Sequence, residues 1–131
     1  MPQAPPGYAD QVYEFTDVCR WFDVHPTTLN TWIGFAKVQR TFGTKRKHRR
    51  VFSEHEVFVI AMMVALHRAD MPVSPETVSR ILAATYDASG PVIPHAQEQL
   101  DIARTEAAGV TLYAGRIWQH NRQIIKETTN D

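Results

Sequence analysis

Apolar residues along the chain fall into short runs with helical spacing, broken by polar turns. Val18, Trp21 and Phe22 mark the face of a first short helix that starts near Tyr13, with Glu14 or Thr16 available to cap it, and ends near Phe22. Asp23 and Val24 then predict a tight turn, with His25 at a helix-cap position. Pro26 sits where a first helical position tolerates proline, because its missing N–H would be unpaired there anyway. A second helix is expected from about Pro26 to Ile33, with Leu29, Trp32 and Ile33 on its inner face. Thr27, Thr28, Asn30 and Thr31 remain for the outer face. After Gly34, residues 38–41 and 49–52 have the alternation of two short strands around a tip centred on Gly43.

Ser53 and Glu56 have the spacing of a capping box, and they open a helix of about sixteen residues that is apolar on more than one side. Val57, Ile60, Ala61 and Val64 form one stripe, while Phe58, Met62 and Ala65 form another, so this helix should be buried on most sides. Ser74 and Pro75 repeat the cap-and-proline start for a fourth helix, whose buried face is Val78, Ile81 and Leu82. Residues 1–9, with three prolines and a glycine, read as a flexible or extended arm. Residues 87–96, with Gly90, Pro91 and Pro94, read as a linker, so that residues 10–86 form the main domain. Residues 97–108 are expected to be helical up to a stop at Gly109. Val110, Leu112 and Ala114 alternate as in a strand, and helix is favoured after about residue 115. This extension, 97–131, would either fold back on the core or pair with a second copy of the chain.

Composition adds bounds. A chain of 131 residues with 44% apolar content suits one domain with an appendage. No apolar stretch approaches the roughly 20 residues of a membrane helix, and the N-terminal residues lack the pattern of a signal peptide, so a cytoplasmic protein is expected. The single cysteine, Cys19, excludes an intramolecular disulfide and any zinc site built from several thiolates.

Charge changes the picture most. The chain has no net charge, yet Lys37, Arg40, Lys45, Arg46, Lys47, Arg49 and Arg50 stand within fourteen residues that contain no carboxylate, and His48 lies among them. Clustered cations neutralise phosphates and release their counterions. The short polar side chains of Thr27, Thr28, Asn30 and Thr31 suit base edges in a major groove, where asparagine can pair bidentately with adenine. Lys45, Arg46 and Lys47 would position the protein on the backbone or in a minor groove without reading sequence.

The run YEFTDVCRWFDVHPTTLNTW, a basic segment and HRRVFSEHEV together resemble the MerR-like winged helix-turn-helix proteins, nearest to their small BldC-like and excisionase-like branch. Val24, Pro26, Thr28, Leu29, Trp32, His48, Arg49, Arg50 and Phe52 carry the resemblance, which spans residues 13 to about 82. It implies a mainly α winged helix-turn-helix with a C-terminal helical extension, binding double-stranded DNA through its second helix and its wing. The basic segment is longer than is usual in those proteins, and Asn30 and Thr31 stand where relatives often have arginine. No long coiled coil follows and no ligand cysteines are present, which argues against metal sensing.

Catalysis has little support. His25, His48, His55, His67, His95 and His120 are scattered without metal-ligand spacing, and neither a phosphate-cradling glycine loop nor a nucleophile elbow is present. No cofactor is expected. The sequence therefore points to a DNA-binding transcriptional regulator, with two alternatives: an architectural factor that bends DNA for a recombinase, or a module that contacts RNA polymerase or another regulator. A homodimer through the C-terminal extension would double the contacts made by one small domain.

Overall fold

The structure is a computed structural model that describes residues 7–87, 90–94, 98–104 and 109–129. It is mainly helical with small antiparallel sheets. The chain begins with β1 (Tyr13–Glu14), α1 (Phe15–Phe22) and α2 (Pro26–Lys37), and continues through the hairpin of β2 (Thr44–Arg46) and β3 (Arg49–Phe52). Next come α3 (Glu54–Arg68) and α4 (Pro75–Thr85), and then two hairpins, β4 (Tyr86–Asp87) with β5 (Gly90–Pro91) and β6 (Leu100–Arg104) with β7 (Gly109–Leu112). The last element is α5 (Ala114–Thr129). β3 is the centre of a three-stranded sheet, flanked by β1 and β2. Among the described residues, no helix is long and apolar enough to cross a membrane.

α3 is the axis of the core. Its capping box is complete: the Glu56 N–H donates to the Ser53 hydroxyl at 3.1 Å, and the Ser53 N–H donates to the Glu56 carboxylate at 2.8 Å. Every residue from Glu54 to Val64 is buried, because neighbours cover the helix on all sides. α4 starts with the same device, Ser74 with Thr77, and buries Val78, Ile81 and Leu82 as expected. α1 ends at Asp23, which holds the left-handed region at φ 52°, and Arg68 of α3 donates to the Phe22 carbonyl at 2.7 Å.

α2 runs past Gly34 to Lys37. A Cβ at Gly34 would meet nothing within 4 Å, so this glycine is an exposed helical position without any chain reversal to enforce. Residues 38–41 are not a strand. Val38 is 85% exposed, and the Gln39 and Arg40 N–H groups still bond to the Ala36 carbonyl. The first strand of the hairpin begins later, at Thr44, and the reversal is made by Lys47 and His48, both at positive φ (51° and 71°). Gly43 lies at the base of the hairpin instead of its tip. Its φ is +65°, and a Cβ there would stand 2.9 Å from the Phe52 ring. Its buried N–H donates to Glu56, which also accepts from Gln11 at 3.1 Å. One carboxylate thus joins β1's approach, the hairpin base and the start of α3.

The ends of the chain belong to the core. Tyr8, which falls in the expected flexible arm, is only 3% exposed; its carbonyl accepts from the His55 N–H, and its ring packs edge-on against Trp118 of α5, with centroids 5.1 Å apart. Residues 1–6 lie outside the described residues. The expected linker contains the β4–β5 hairpin, with Val92 and Pro94 buried and the Val92 N–H bonded to Thr85. The helix expected over 97–108 is replaced by β6 through Arg104; residues 97 and 105–108 lie outside the described residues. β6 pairs with β7 from Leu100–Leu112 to Arg104–Gly109, with a bulge at 101–103, and Leu112 turns inward. The alternation at Val110 and Leu112 is therefore strand alternation, and helix begins at Ala114. Trp118 and Ile125 of α5 are buried on the core, Trp118 5.5 Å from the Phe58 ring, which is the intramolecular packing alternative for this extension.

Candidate nucleic-acid interface

The α1–turn–α2 unit and the β2–β3 hairpin bound an open groove of about 480 Å³. Asn30 reaches it from α2; Lys45, His48, Arg49 and Arg50 reach it from the hairpin. Its third wall, the start of α1, comes from Glu14, Phe15 and Thr16. Residues widely separated in sequence thus meet on one side of the molecule, and four of the eight are basic side chains or histidine.

Local geometry explains each placement. The His25 ring caps α2 by accepting the Thr27 N–H at Nδ1, 3.1 Å away, which aims the first turn outward. Leu29, Trp32 and Ile33 are buried, so Thr27, Asn30 and Thr31 are exposed by helical periodicity, whereas Thr28 is only half exposed. The Thr31 hydroxyl donates to the Thr27 carbonyl at 3.1 Å, which leaves its oxygen lone pairs for an outside donor. Asn30 is the residue of this face that lines the groove.

The hairpin has an unusual charge pattern. Lys45 stands opposite Arg50 and Arg46 opposite Arg49, so two successive cross-strand pairs place like charges against each other, an arrangement that destabilises a ribbon by itself. One partial counter-charge is present, since Arg49 pairs with Glu14 at 3.2 Å with both side chains well exposed. An exposed pair of this kind contributes little. Arg50 is half-buried and its guanidinium donates to the Phe42 carbonyl at 3.4 Å, which ties the head of the side chain to the hairpin base. Lys47 and His48 hold left-handed backbone at the tip, a conformation that costs a non-glycine residue about 1–2 kcal/mol. The two central residues of this turn carry side chains where asparagine-glycine would be preferred.

Four cations stand outside the groove lining. The Arg40 guanidinium lies 3.2 Å from the centroid of the Tyr86 ring, against α4, and is not part of the groove. Lys37 is exposed as the last residue of α2 and does not line the groove. Arg46 and Lys47 are exposed at the far end of the hairpin, beyond the groove walls. Glu14, Phe15 and Thr16 are the groove-lining residues that the sequence did not point to as a site. Their only sequence signal was position at a helix start, and their role comes from β1, a two-residue strand that pins α1 beside β3.

Two buried titratable groups, His55 and Glu54, lie away from the groove. His55 is fully buried between Tyr8 and Tyr86. Burial above all, and then the Arg40 charge, pull its pKa down to about 3 against an opposing backbone contact from Thr85, so the ring is a neutral aromatic of the core. Glu54 is buried beside Arg122, 3.3 Å away; desolvation raises its pKa and the guanidinium works against that rise. Among the described residues, no three metal-ligating side chains converge. Compared with known proteins, the chain matches no family model, no curated protein and no solved structure.

Proposed function

We propose that the chain is a winged helix-turn-helix protein that binds double-stranded DNA as a sequence-specific transcriptional regulator. In this reading α2 is the recognition helix and the β2–β3 hairpin is the wing. One observation carries it: Asn30 of α2 and Lys45, Arg49 and Arg50 of the hairpin line the same groove, while the hairpin's own pairing sets like charges against each other. A polyanion relieves that repulsion. Asn30 offers an amide to base edges, with Thr27 and Thr31 beside it on the exposed face. Lys45, Arg46, Lys47, His48, Arg49 and Arg50 hold phosphates or enter a minor groove, and Thr16 at the α1 start is positioned for a backbone contact. Arg40, stacked on Tyr86, drops out of the phosphate set. The likeness of residues 13–82 to the MerR-like proteins supports the same assignment.

The decisive experiment is selection of bound duplexes from a random pool at about 0.15 M salt, followed by sequencing. An enriched motif is the expected result, with log affinity falling against log salt at a slope near −4 if about four phosphates are neutralised. Binding without enrichment would replace the regulator by the architectural, DNA-bending factor, and absence of binding would sink both.

A further inference from the structure

The groove between α2 and the hairpin contains one charge of the wrong sign for DNA. Glu14 is the sole carboxylate among the described residues that line it, and it stands with Lys45, Arg49 and Arg50. We propose that Glu14 is a built-in competitor for the DNA backbone: it holds Arg49 in the free protein, and a phosphate must displace it before Arg49 can serve. This inference rests on the DNA-binding reading and names what sets the strength of that binding.

Strand register brings the pair together. Glu14 of β1 stands opposite Val51, so Arg49, two residues away along β3, is its diagonal neighbour, and the Arg49 guanidinium donates to the Glu14 carboxylate at 3.2 Å. Across the other side of β3, Arg49 faces Arg46. The carboxylate thus offsets a repulsion built into the hairpin. It does little for the helix that follows it: Glu14 occupies the N-cap position of α1, yet its side chain makes no capping hydrogen bond, and glutamate is outside the set of residues preferred there. The acid in the first turn of α1, Asp17, is already engaged with Arg20 at 2.9 Å. Only the weak attraction of a carboxylate for a helix start remains as a local role for Glu14.

Accessibility makes the pair exchangeable. The Arg49 side chain is 72% exposed and that of Glu14 40%, and an ion pair so open to water is weak and screened by salt. A phosphate presents a guanidinium with the same fork of acceptor oxygens as a carboxylate, so Arg49 can change partner without losing hydrogen bonds. Glu14 is then left as an anion beside the DNA strand. It repels the backbone and takes up a cation from solution, which cancels part of the counterion release that drives binding. The cost falls on every sequence, because the backbone is the same in all of them. Discrimination stays with Asn30 and the exposed face of α2, while Glu14 keeps a strongly basic hairpin from clinging to any duplex it meets.

The test is a salt series of titrations of two labelled duplexes of unrelated sequence with the full chain, with Glu14→Gln, with Arg49→Gln and with the double variant. Glu14→Gln should bind both duplexes about tenfold more tightly at about 0.05 M salt, with a salt slope steeper by about one and little change in Tm. Arg49→Gln should cost more affinity in the Glu14→Gln background than in the wild type, since the guanidinium there has no partner to leave. Should Glu14→Gln lower the Tm, Glu14→Ser, which supplies a capping hydroxyl, carries the same expectation for binding. Unchanged binding by Glu14→Gln would overturn the proposal, and so would weaker binding, which would mean that the carboxylate aims Arg49 at the phosphate. A gain confined to one duplex, or a gain of equal size with and without Arg49, would overturn it too. In each of these cases the wild type still binds DNA and the wider reading stands; if neither the wild type nor Glu14→Gln binds either duplex, that reading falls and this inference with it.

Discussion

The hairpins β2–β3 and β6–β7 are both antiparallel ribbons of similar length, yet their cross-strand neighbours differ in kind. In β6–β7, Leu100 faces Leu112, and the Thr111 hydroxyl donates to its cross-strand neighbour Asp101 at 2.8 Å. In β2–β3, lysine faces arginine and arginine faces arginine. The first ribbon satisfies its own groups where its side chains are described. The second sets like charges against each other and is held in shape from below, by Glu56 and by the Phe42–Phe52 contact at its base. The side chains that stabilise the hairpin are thus at its base, and the opposed charges are toward its tip.

That separation can be broken at its foundation. Glu56→Ala leaves the Ser53 and Gly43 N–H groups without their acceptor and frees Gln11, and should cost at least about 3 kcal/mol of stability in chemical denaturation, with DNA binding lost in parallel. Replacing Lys45, Arg46 and Lys47 together by alanine should do the reverse. Stability should hold or rise slightly, while affinity falls for all sequences and the salt slope becomes shallower by about three. If that triple variant unfolds, the charges have a structural role and the contrast between the hairpins is wrong. Asn30→Ala should act on discrimination, costing about 1–3 kcal/mol against the preferred base at one position of the selected motif and little on random DNA. Replacing Lys47 and His48 by asparagine and glycine should relieve the left-handed backbone and add about 1 kcal/mol of stability, with a modest loss of affinity. The smallest effect belongs to the other ribbon: Thr111→Val should cost about 0.5 kcal/mol and leave DNA binding unchanged.

Much of this arrangement was legible in the sequence wherever the determinant was local. The Ser53–Glu56 and Ser74 caps, the proline starts and the inner face of Leu29, Trp32 and Ile33 depend on neighbours three or four residues away, and each is found where the pattern puts it. The errors arose where distant contacts decide. Gly43 looks like a hairpin tip because glycine suits reversals, but its positive φ serves the close approach of Phe52 and the bond to Glu56. The true reversal, Lys47–His48, lacks the usual turn residues, so no local signal marked it. Helix formers at 100–104 were overridden by pairing with β7, and Tyr8 sat unremarked in a proline-rich stretch because its partners, His55 and Trp118, are far along the chain. Within the groove, Asn30 and the basic hairpin were readable from type and periodicity. Phe15 and Thr16 required the β1–β3 pairing, and the separation of Arg40 required Tyr86.

The contact between Tyr8 and Trp118 also sets a timetable for synthesis. α3 is sealed by residues from both sides of the chain, and its aromatic cluster stays open until α5 has emerged. A chain that ends after α1, α2 and the hairpin therefore lacks α3 and with it Glu56, the acceptor at the hairpin base. Closing so long a loop costs entropy that only the last helix repays. α5 thus completes the packing around α3, and a chain cut ahead of residue 114 would leave Tyr8 and Phe58 without their Trp118 neighbour.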